Sequence, residues 1–157
     1  MSMIEKTHIL ATLLIDRDLK ISVAESCTGG SLASTLTSVS GASSYFDRGY
    51  IAYSNEAKID MLKVDPQTIT TEGAVSEAVA IAMVKGAIRQ SGSDIAVAIT
   101  GIAGPTGGTE NKPIGTVCFG FAVKDSLSTS TQSFQGTREE IVTQSVDFVL
   151  NHLISSL

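Results

Sequence analysis

The chain has 157 residues, of which 43% are hydrophobic and 17% charged, a length and balance typical of one folded domain over 1–157. A net charge of −5 and an aromatic content of 5% argue against direct nucleic-acid binding. Two cysteines and two histidines argue against a disulfide framework and a zinc site. Because charges interrupt the segment 1–20, we expect no signal peptide or membrane span, and a cytoplasmic protein.

Hydrophobic periodicity predicts helices and strands that alternate along the chain. The predicted helices cover 3–17, 29–39, 56–63, 77–90 and 138–154. The predicted strands cover 20–24, 48–54, 94–100, 114–123 and, as a polar edge strand, 127–135. We therefore predict a three-layer α/β/α sandwich with a mixed, mostly parallel sheet, in which strands 94–100 and 114–123 form a hairpin.

The first candidate site is 24-AESCTGG-30, at a strand-to-helix turn. A serine there lies at the end of the sheet, and the free amides of a helix N-terminus carry partial positive charge. Ser26 is thus a candidate nucleophile, and the amides from Cys27 to Gly30 are candidates to hold an oxyanion or a phosphate. The spacing alone favours a plainer alternative, in which Ser26 or Thr28 caps the helix and the two glycines make a tight turn.

A serine nucleophile needs a base, and neither of the two histidines, His8 and His152, lies near this motif in the sequence. A lysine is the natural substitute, since a partly buried lysine can lose its charge. The motif 53-YSNEAK-58 offers Lys58 in the first turn of a helix, where the helix dipole would lower its pKa. The alternative is that Lys58 is a solvated surface lysine. A free cysteine such as Cys27 is expected in the core.

The third candidate site is the glycine-rich loop in 100-TGIAGPTGGTENKPIGT-116, which lies between two predicted strands. Loops of this length inside compact domains commonly bind ligands, although a plain hairpin connection is the alternative. The loop matches neither the Walker pattern nor the dinucleotide fingerprint. Arg138, at the start of the last helix, is a candidate phosphate ligand. Its alternative role is a surface ion pair with Glu139, Glu140 or Asp147.

Four motifs, in chain order, closely resemble those of the CinA C-terminal family: AESCTGG, GASSYFDRGYIAYSNEAK, GAVSEAVA and AITGIAGPTGGTENKPIGTV. The resemblance covers residues 5–153. It implies a metal-free and cofactor-free hydrolysis of the carboxamide of nicotinamide mononucleotide, which gives nicotinate mononucleotide and ammonia. It also implies that Ser26 and Lys58 are the catalytic pair, with Tyr53 nearby.

The resemblance further suggests which residues contact the substrate. Amides of Thr28, Gly29 and Gly30 would hold the oxyanion. The loop 101–113 and Arg138 would hold ribose and phosphate. The candidates for substrate binding are thus Asn55, Thr100, Gly101, Gly104, Gly107, Gly108 and Arg138. Larger CinA proteins carry an additional N-terminal domain. Because the resemblance covers nearly all of the 157 residues, we expect the stand-alone form here. The alanine-rich helix 77–90 is consistent with a homo-oligomer, and a dimer is favoured.

Two other functions stay open at this stage. One is a nucleotide-binding or regulatory module, linked to competence or DNA repair, that keeps the fold without the activity. The other is a hydrolase whose nucleophile is the Cys27 thiol.

Overall fold

The computed structural model describes all 157 residues. Its helices are α1 (Met3–Asp16), α2 (Ser31–Leu36), α3 (Asn55–Leu62), α4 (Pro66–Glu72), α5 (Glu77–Ser91) and α6 (Arg138–Ser156). Its strands are β1 (Ile21–Glu25), β2 (Phe46–Ile51), β3 (Ile95–Gly101), β4 (Thr116–Val123) and β5 (Ser126–Ser133). No helix combines the length and apolarity needed to cross a bilayer.

The five strands form one sheet in the order β2-β1-β3-β4-β5. The central strand β1 pairs in parallel with β2 and with β3, whereas β4 is antiparallel to both β3 and β5. Only β4 therefore runs against the common direction of the other strands. The predicted mixed sheet and the predicted β3–β4 hairpin are both confirmed.

The two faces of the sheet are covered by different helices, which confirms the three-layer architecture. Large side chains such as Ile21, Val97 and Phe119 pack under α1, α2 and α6. Small residues such as Ala24 and Ala98 alternate with them and face α3 and α5. At Gly120, an added Cβ would lie 2.6 Å from the Ala80 carbonyl oxygen of α5. The small face therefore lets α5 approach the sheet closely.

Several element boundaries differ from those predicted. The helix predicted over 29–39 spans only Ser31–Leu36. It cannot begin at Gly29, because Gly29 and Gly30 have φ angles of 56° and 105°, which a right-handed helix excludes. The helix α4 was not predicted at all. Pro66 occupies its first turn, and the Asp65 side chain caps it by accepting from Gln67 N at 2.9 Å. Proline is common shortly after the end of a helix and also at its start, so Pro66 alone does not distinguish the two positions.

Candidate active site

A cavity of about 270 Å³ opens where the parallel strands β1, β2 and β3 end. The carboxyl ends of parallel strands are the usual place for a ligand site in an α/β sheet. The cavity is lined by most of the candidate site residues predicted from the sequence: Ser26, Tyr53, Asn55, Lys58, Thr100, Gly101, Gly104, Gly107 and Arg138. Distant segments of the sequence thus converge on one site.

Ser26 and Lys58 are in direct contact in this cavity. The Lys58 Nζ atom lies 3.0 Å from Ser26 Oγ, and both atoms lie 3.3 Å from the Tyr53 carbonyl oxygen. Both side chains are buried, Ser26 at 7% exposure and Lys58 at 2%. Lys58 is therefore no solvated surface lysine. The geometry suits proton transfer between a hydroxyl and an amine.

The position of Lys58 follows from the local sequence of α3. Ser54 caps this helix by accepting from Ala57 N at 3.0 Å, and the first turn then carries Lys58 over the end of β1. Burial lowers the pKa of Lys58, while the charge of Glu56 acts in the opposite direction. The ion pairs of the structure, Lys6–Asp147 and Arg48–Asp47, do not include Lys58. Without a carboxylate partner, a buried amine loses its proton more readily.

The turn that follows Ser26 is held by the backbone and by one buried acid. Ser26 N donates to Ile99 O at 2.9 Å, and Gly29 N donates to Ser26 O at 3.0 Å. The Thr28 hydroxyl donates to Glu25 Oε1 at 2.6 Å. The N–H groups of three residues in this turn have no acceptor within the protein: Cys27, Thr28 and Gly30.

The turn residues are not all at the cavity. Cys27 lines it, whereas Thr28, Gly29 and Gly30 do not. Gly29 and Gly30 instead line a separate groove between α2 and α6. Of the free amides, that of Cys27 is therefore the one carried by a residue at the cavity.

Tyr53 and Arg138 meet at the mouth of the cavity. The Tyr53 hydroxyl accepts from Arg138 Nη2 at 2.7 Å, and the Gly104 carbonyl accepts from Arg138 Nη1 at 2.7 Å. Arg138 thus bridges two loops and makes none of the ion pairs considered as its alternative role. Tyr53 is 55% exposed and touches Ser26 and Lys58 only through its backbone carbonyl.

The glycine-rich loop forms one wall of the cavity. Thr100, at its start, donates from Oγ1 to Ala74 O at 2.9 Å, which joins the loop to the α4–α5 connection. The loop N–H groups of Ala103, Gly104, Thr106 and Gly107 have no acceptor within the protein. Gly108 does not line the cavity and packs against Ile114.

Some cavity residues were missed from the sequence: Ala74, Val75, Ile102, Ala103 and Thr106. Ala74 and Val75 belong to the motif GAVSEAVA, but small apolar side chains carry no chemical signal of their own. Neither histidine lines the cavity, and His152 stacks on Phe121 with ring centroids 3.7 Å apart. No three His, Cys, Asp or Glu side chains are grouped as a metal site requires.

Cys27, the neighbouring candidate nucleophile, differs from Ser26 in its surroundings and in the pKa of its side chain. It is buried in the core under α2, and burial raises the pKa of its thiol to about 12. The thiolate is the nucleophilic form of cysteine. A raised pKa disfavours the thiolate at neutral pH, so Cys27 is a weaker candidate nucleophile than Ser26.

The fold and the site together define an α/β/α protein with a buried serine–lysine pair at the carboxyl ends of parallel strands. The family model described as CinA C-terminal domain matches residues 4–157, and the chain belongs to this family. A CinA-like protein from Mycobacterium marinum is 50% identical over 150 residues, which are 95% of this chain and 35% of that protein. The chain spans about a third of the length of such longer curated relatives.

Two further proteins match over most of both chains. The nicotinamide-nucleotide amidohydrolase PncC of Enterobacter agglomerans is 47% identical over 131 residues, which are 83% of this chain and 80% of that protein. The crystal structure of a CinA superfamily protein from Escherichia coli superposes with a TM-score of 0.96 at 36% identity. That match covers 99% of this chain and 91% of the other.

Proposed function

We propose that this protein hydrolyses the carboxamide of nicotinamide mononucleotide to nicotinate mononucleotide and ammonia. The observation that carries the proposal is the contact of 3.0 Å between Ser26 Oγ and Lys58 Nζ, two buried side chains that line the cavity. The name of the Enterobacter agglomerans relative supports the choice of substrate. The substrate is inferred from the name of this relative together with the chemistry of the site.

In the first step, neutral Lys58 takes the proton of the Ser26 hydroxyl as Ser26 Oγ attacks the amide carbonyl carbon. The lowered pKa of Lys58 supports this role, because a base must be unprotonated before it can accept a proton. The carbonyl oxygen becomes an oxyanion in the tetrahedral intermediate. The Cys27 N–H, which is free and adjacent to Ser26, is the donor best supported by the geometry.

In the second step, the C–N bond breaks and Lys58 returns its proton to the leaving nitrogen, which departs as ammonia. An ester between Ser26 and the nicotinoyl group remains. Water then attacks this ester while Lys58 accepts a proton from it, and collapse of the second intermediate restores the Ser26 hydroxyl and releases the carboxylic acid. We assign the proton shuttle to Lys58 rather than Tyr53, since the Tyr53 hydroxyl is bonded to Arg138.

The rest of the nucleotide would lie toward the mouth of the cavity. The free N–H groups of Ala103, Gly104, Thr106 and Gly107 and the cation of Arg138 are suited to an anion. The cavity is lined by the guanidinium of Arg138, which stays charged, and by no carboxylate. A phosphate on the substrate therefore fits the charge of the site.

The test is release of ammonia and nicotinate mononucleotide by the purified protein from nicotinamide mononucleotide, compared with nicotinamide riboside and free nicotinamide. We expect turnover of the mononucleotide, and weaker turnover of the two compounds without phosphate. Absence of turnover with all three, by a protein that still binds the mononucleotide in calorimetry, would favour a binding or regulatory module over an amidohydrolase.

A further inference from the structure

Glu25 is the one fully buried carboxylate next to the candidate nucleophile, and the reaction proposed above gives it no role. It ends β1 at 0% exposure. Its Oε1 accepts from the Thr28 hydroxyl at 2.6 Å and from Leu32 N at 2.9 Å, and its Oε2 accepts from Ala33 N at 2.9 Å. Three donors therefore converge on the two oxygens of a single carboxylate.

These bonds replace the cap that α2 lacks. The N-cap residue of α2 is Gly30, which has no side chain to accept from the first free N–H groups of the helix. Glu25 accepts from these N–H groups although it lies at the end of β1, five residues before Gly30. Its negative charge also lies at the positive end of the short helix. The acid thus ties the end of the strand to the beginning of the helix across the turn 26–30.

Glu25 and Ser26 are adjacent but serve opposite faces of the sheet. Successive side chains of an extended segment alternate, so Glu25 is directed toward α2 while Ser26 is directed toward Lys58 of α3. A shift of the Glu25 side chain would therefore move the backbone that carries Ser26 without touching the cavity itself. The Cys27 N–H moves with the same backbone.

We propose that Glu25 is a positioning residue, whose carboxylate fixes the turn 26–30 so that Ser26 Oγ stays in contact with Lys58 and the Cys27 N–H stays free for the oxyanion. This role rests on the proposed amide hydrolysis. It acts on the reaction through Ser26 and Cys27, and Glu25 contacts no substrate. A displacement of about 1 Å in a reacting group costs on the order of 100-fold in rate.

The experiment compares Glu25→Gln with the same change at a hydrogen-bonded carboxylate on the surface. Glu77 also accepts two hydroxyl hydrogen bonds, from Thr129 at 2.6 Å and from Thr131 at 2.5 Å, and it does not line the cavity. We expect Glu25→Gln to lower kcat on nicotinamide mononucleotide by about 10- to 100-fold with little change in KM. Glu77→Gln should leave both constants as in the wild type. Equal kcat values for folded Glu25→Gln and wild type would overturn the positioning role.

A second pair of variants covers the case in which Glu25→Gln does not fold. Thr28→Val removes one donor to the carboxylate, and Thr28→Ser keeps it. We expect the valine variant to lose more of kcat than the serine variant. Equal kcat values for these two variants would contradict the role of the Thr28–Glu25 bond.

A readout that needs no turnover separates this inference from the proposed function. A serine-directed fluorophosphonate should label Ser26 of the wild type faster than Ser26 of Glu25→Gln, measured by mass spectrometry of the intact protein. Slower labelling of the variant supports the positioning role even where the wild type releases no ammonia. Equal labelling rates would overturn that role, whatever the amidohydrolase assay gives.

Discussion

Strand β1 carries a buried serine near each end, and the two serines have very different partners. Near its beginning, the Ser22 hydroxyl lies 2.7 Å from the Ser93 hydroxyl, and both residues are buried. Just past its end, Ser26 Oγ lies 3.0 Å from the amine of Lys58. By strand alternation both serines project toward the face covered by α3 and α5.

The difference between these sites is chemical as well as positional. The Ser93 hydroxyl can share a hydrogen bond with Ser22 but is far too weak a base to take its proton. Lys58, whose pKa is lowered by burial, can take the proton of Ser26. Ser26 also lies at the carboxyl end of the parallel strands, beside the cavity, and Ser22 does not. We therefore expect Ser22 to contribute to stability and Ser26 to activity.

The largest change should come from Lys58→Met, which removes the base from the Ser26 site. We expect kcat to fall by on the order of 100-fold or more, measured as ammonia release. The variant should also melt at a higher temperature than the wild type at pH 7, because burial penalises the charged amine. Lys85→Met, an exposed change on α5, is the control and should keep wild-type kcat. Wild-type activity in Lys58→Met would remove lysine from the mechanism.

The pH dependence of kcat should report the ionisation of Lys58. Lys58 acts as a base only when neutral, and its pKa lies below that of an ordinary lysine. Activity should therefore rise with pH and fall by about tenfold per pH unit below the folded-state pKa. In the window between the folded and unfolded pKa values of Lys58, the unfolded chain binds more protons, so wild-type stability should rise with pH there. An acid limb that persists in the residual activity of Lys58→Met would assign this ionisation to another group.

A smaller effect is expected for Arg138→Met at the mouth of the cavity. Loss of a charge-assisted contact with phosphate should raise KM for nicotinamide mononucleotide by about tenfold. Nicotinamide riboside has no phosphate, so its KM should change little. Arg48→Met, which lies on the edge strand β2, serves as the control. An equal rise in KM for both substrates would instead point to the bridge from Arg138 to Tyr53 and Gly104.

The smallest effect on activity is expected for Ser22→Ala. This change leaves the Ser93 hydroxyl without its partner in a buried position, which should cost about 1 to 3 kcal/mol of unfolding free energy. The kcat value should stay as in the wild type. Urea unfolding and ammonia release measure the two quantities separately. A large loss of kcat without loss of stability would contradict the assignment of Ser22 to stability rather than activity.

The sequence was sufficient for the architecture, because binary patterns and capping boxes are local. Ser2 with Glu5 and Thr137 with Glu140 have the spacing of capping boxes, and both boxes form in the structure. The helix α4 was missed because a proline can either follow the end of a helix or occupy its first turn. Here the capping of the helix by Asp65 distinguishes the two.

The site was harder to predict than the fold, since its contacts join distant parts of the chain. The sequence named Ser26 and Lys58, but the burial of Lys58 depends on how α3 packs at the ends of β1 and β2. Arg138 and Tyr53 are 85 positions apart, and no local pattern predicts their contact. Thr28 was predicted to offer its amide to an oxyanion, but it does not line the cavity, and its hydroxyl is directed to Glu25.

The role of Ser26 as nucleophile is tested most directly by ammonia release from nicotinamide mononucleotide by Ser26→Ala and Cys27→Ala, with Ser22→Ala alongside. We predict that Ser26→Ala loses on the order of 1,000-fold or more in kcat, and that Cys27→Ala and Ser22→Ala remain active. Near wild-type release by Ser26→Ala, or loss of activity confined to Cys27→Ala, would contradict the serine–lysine mechanism.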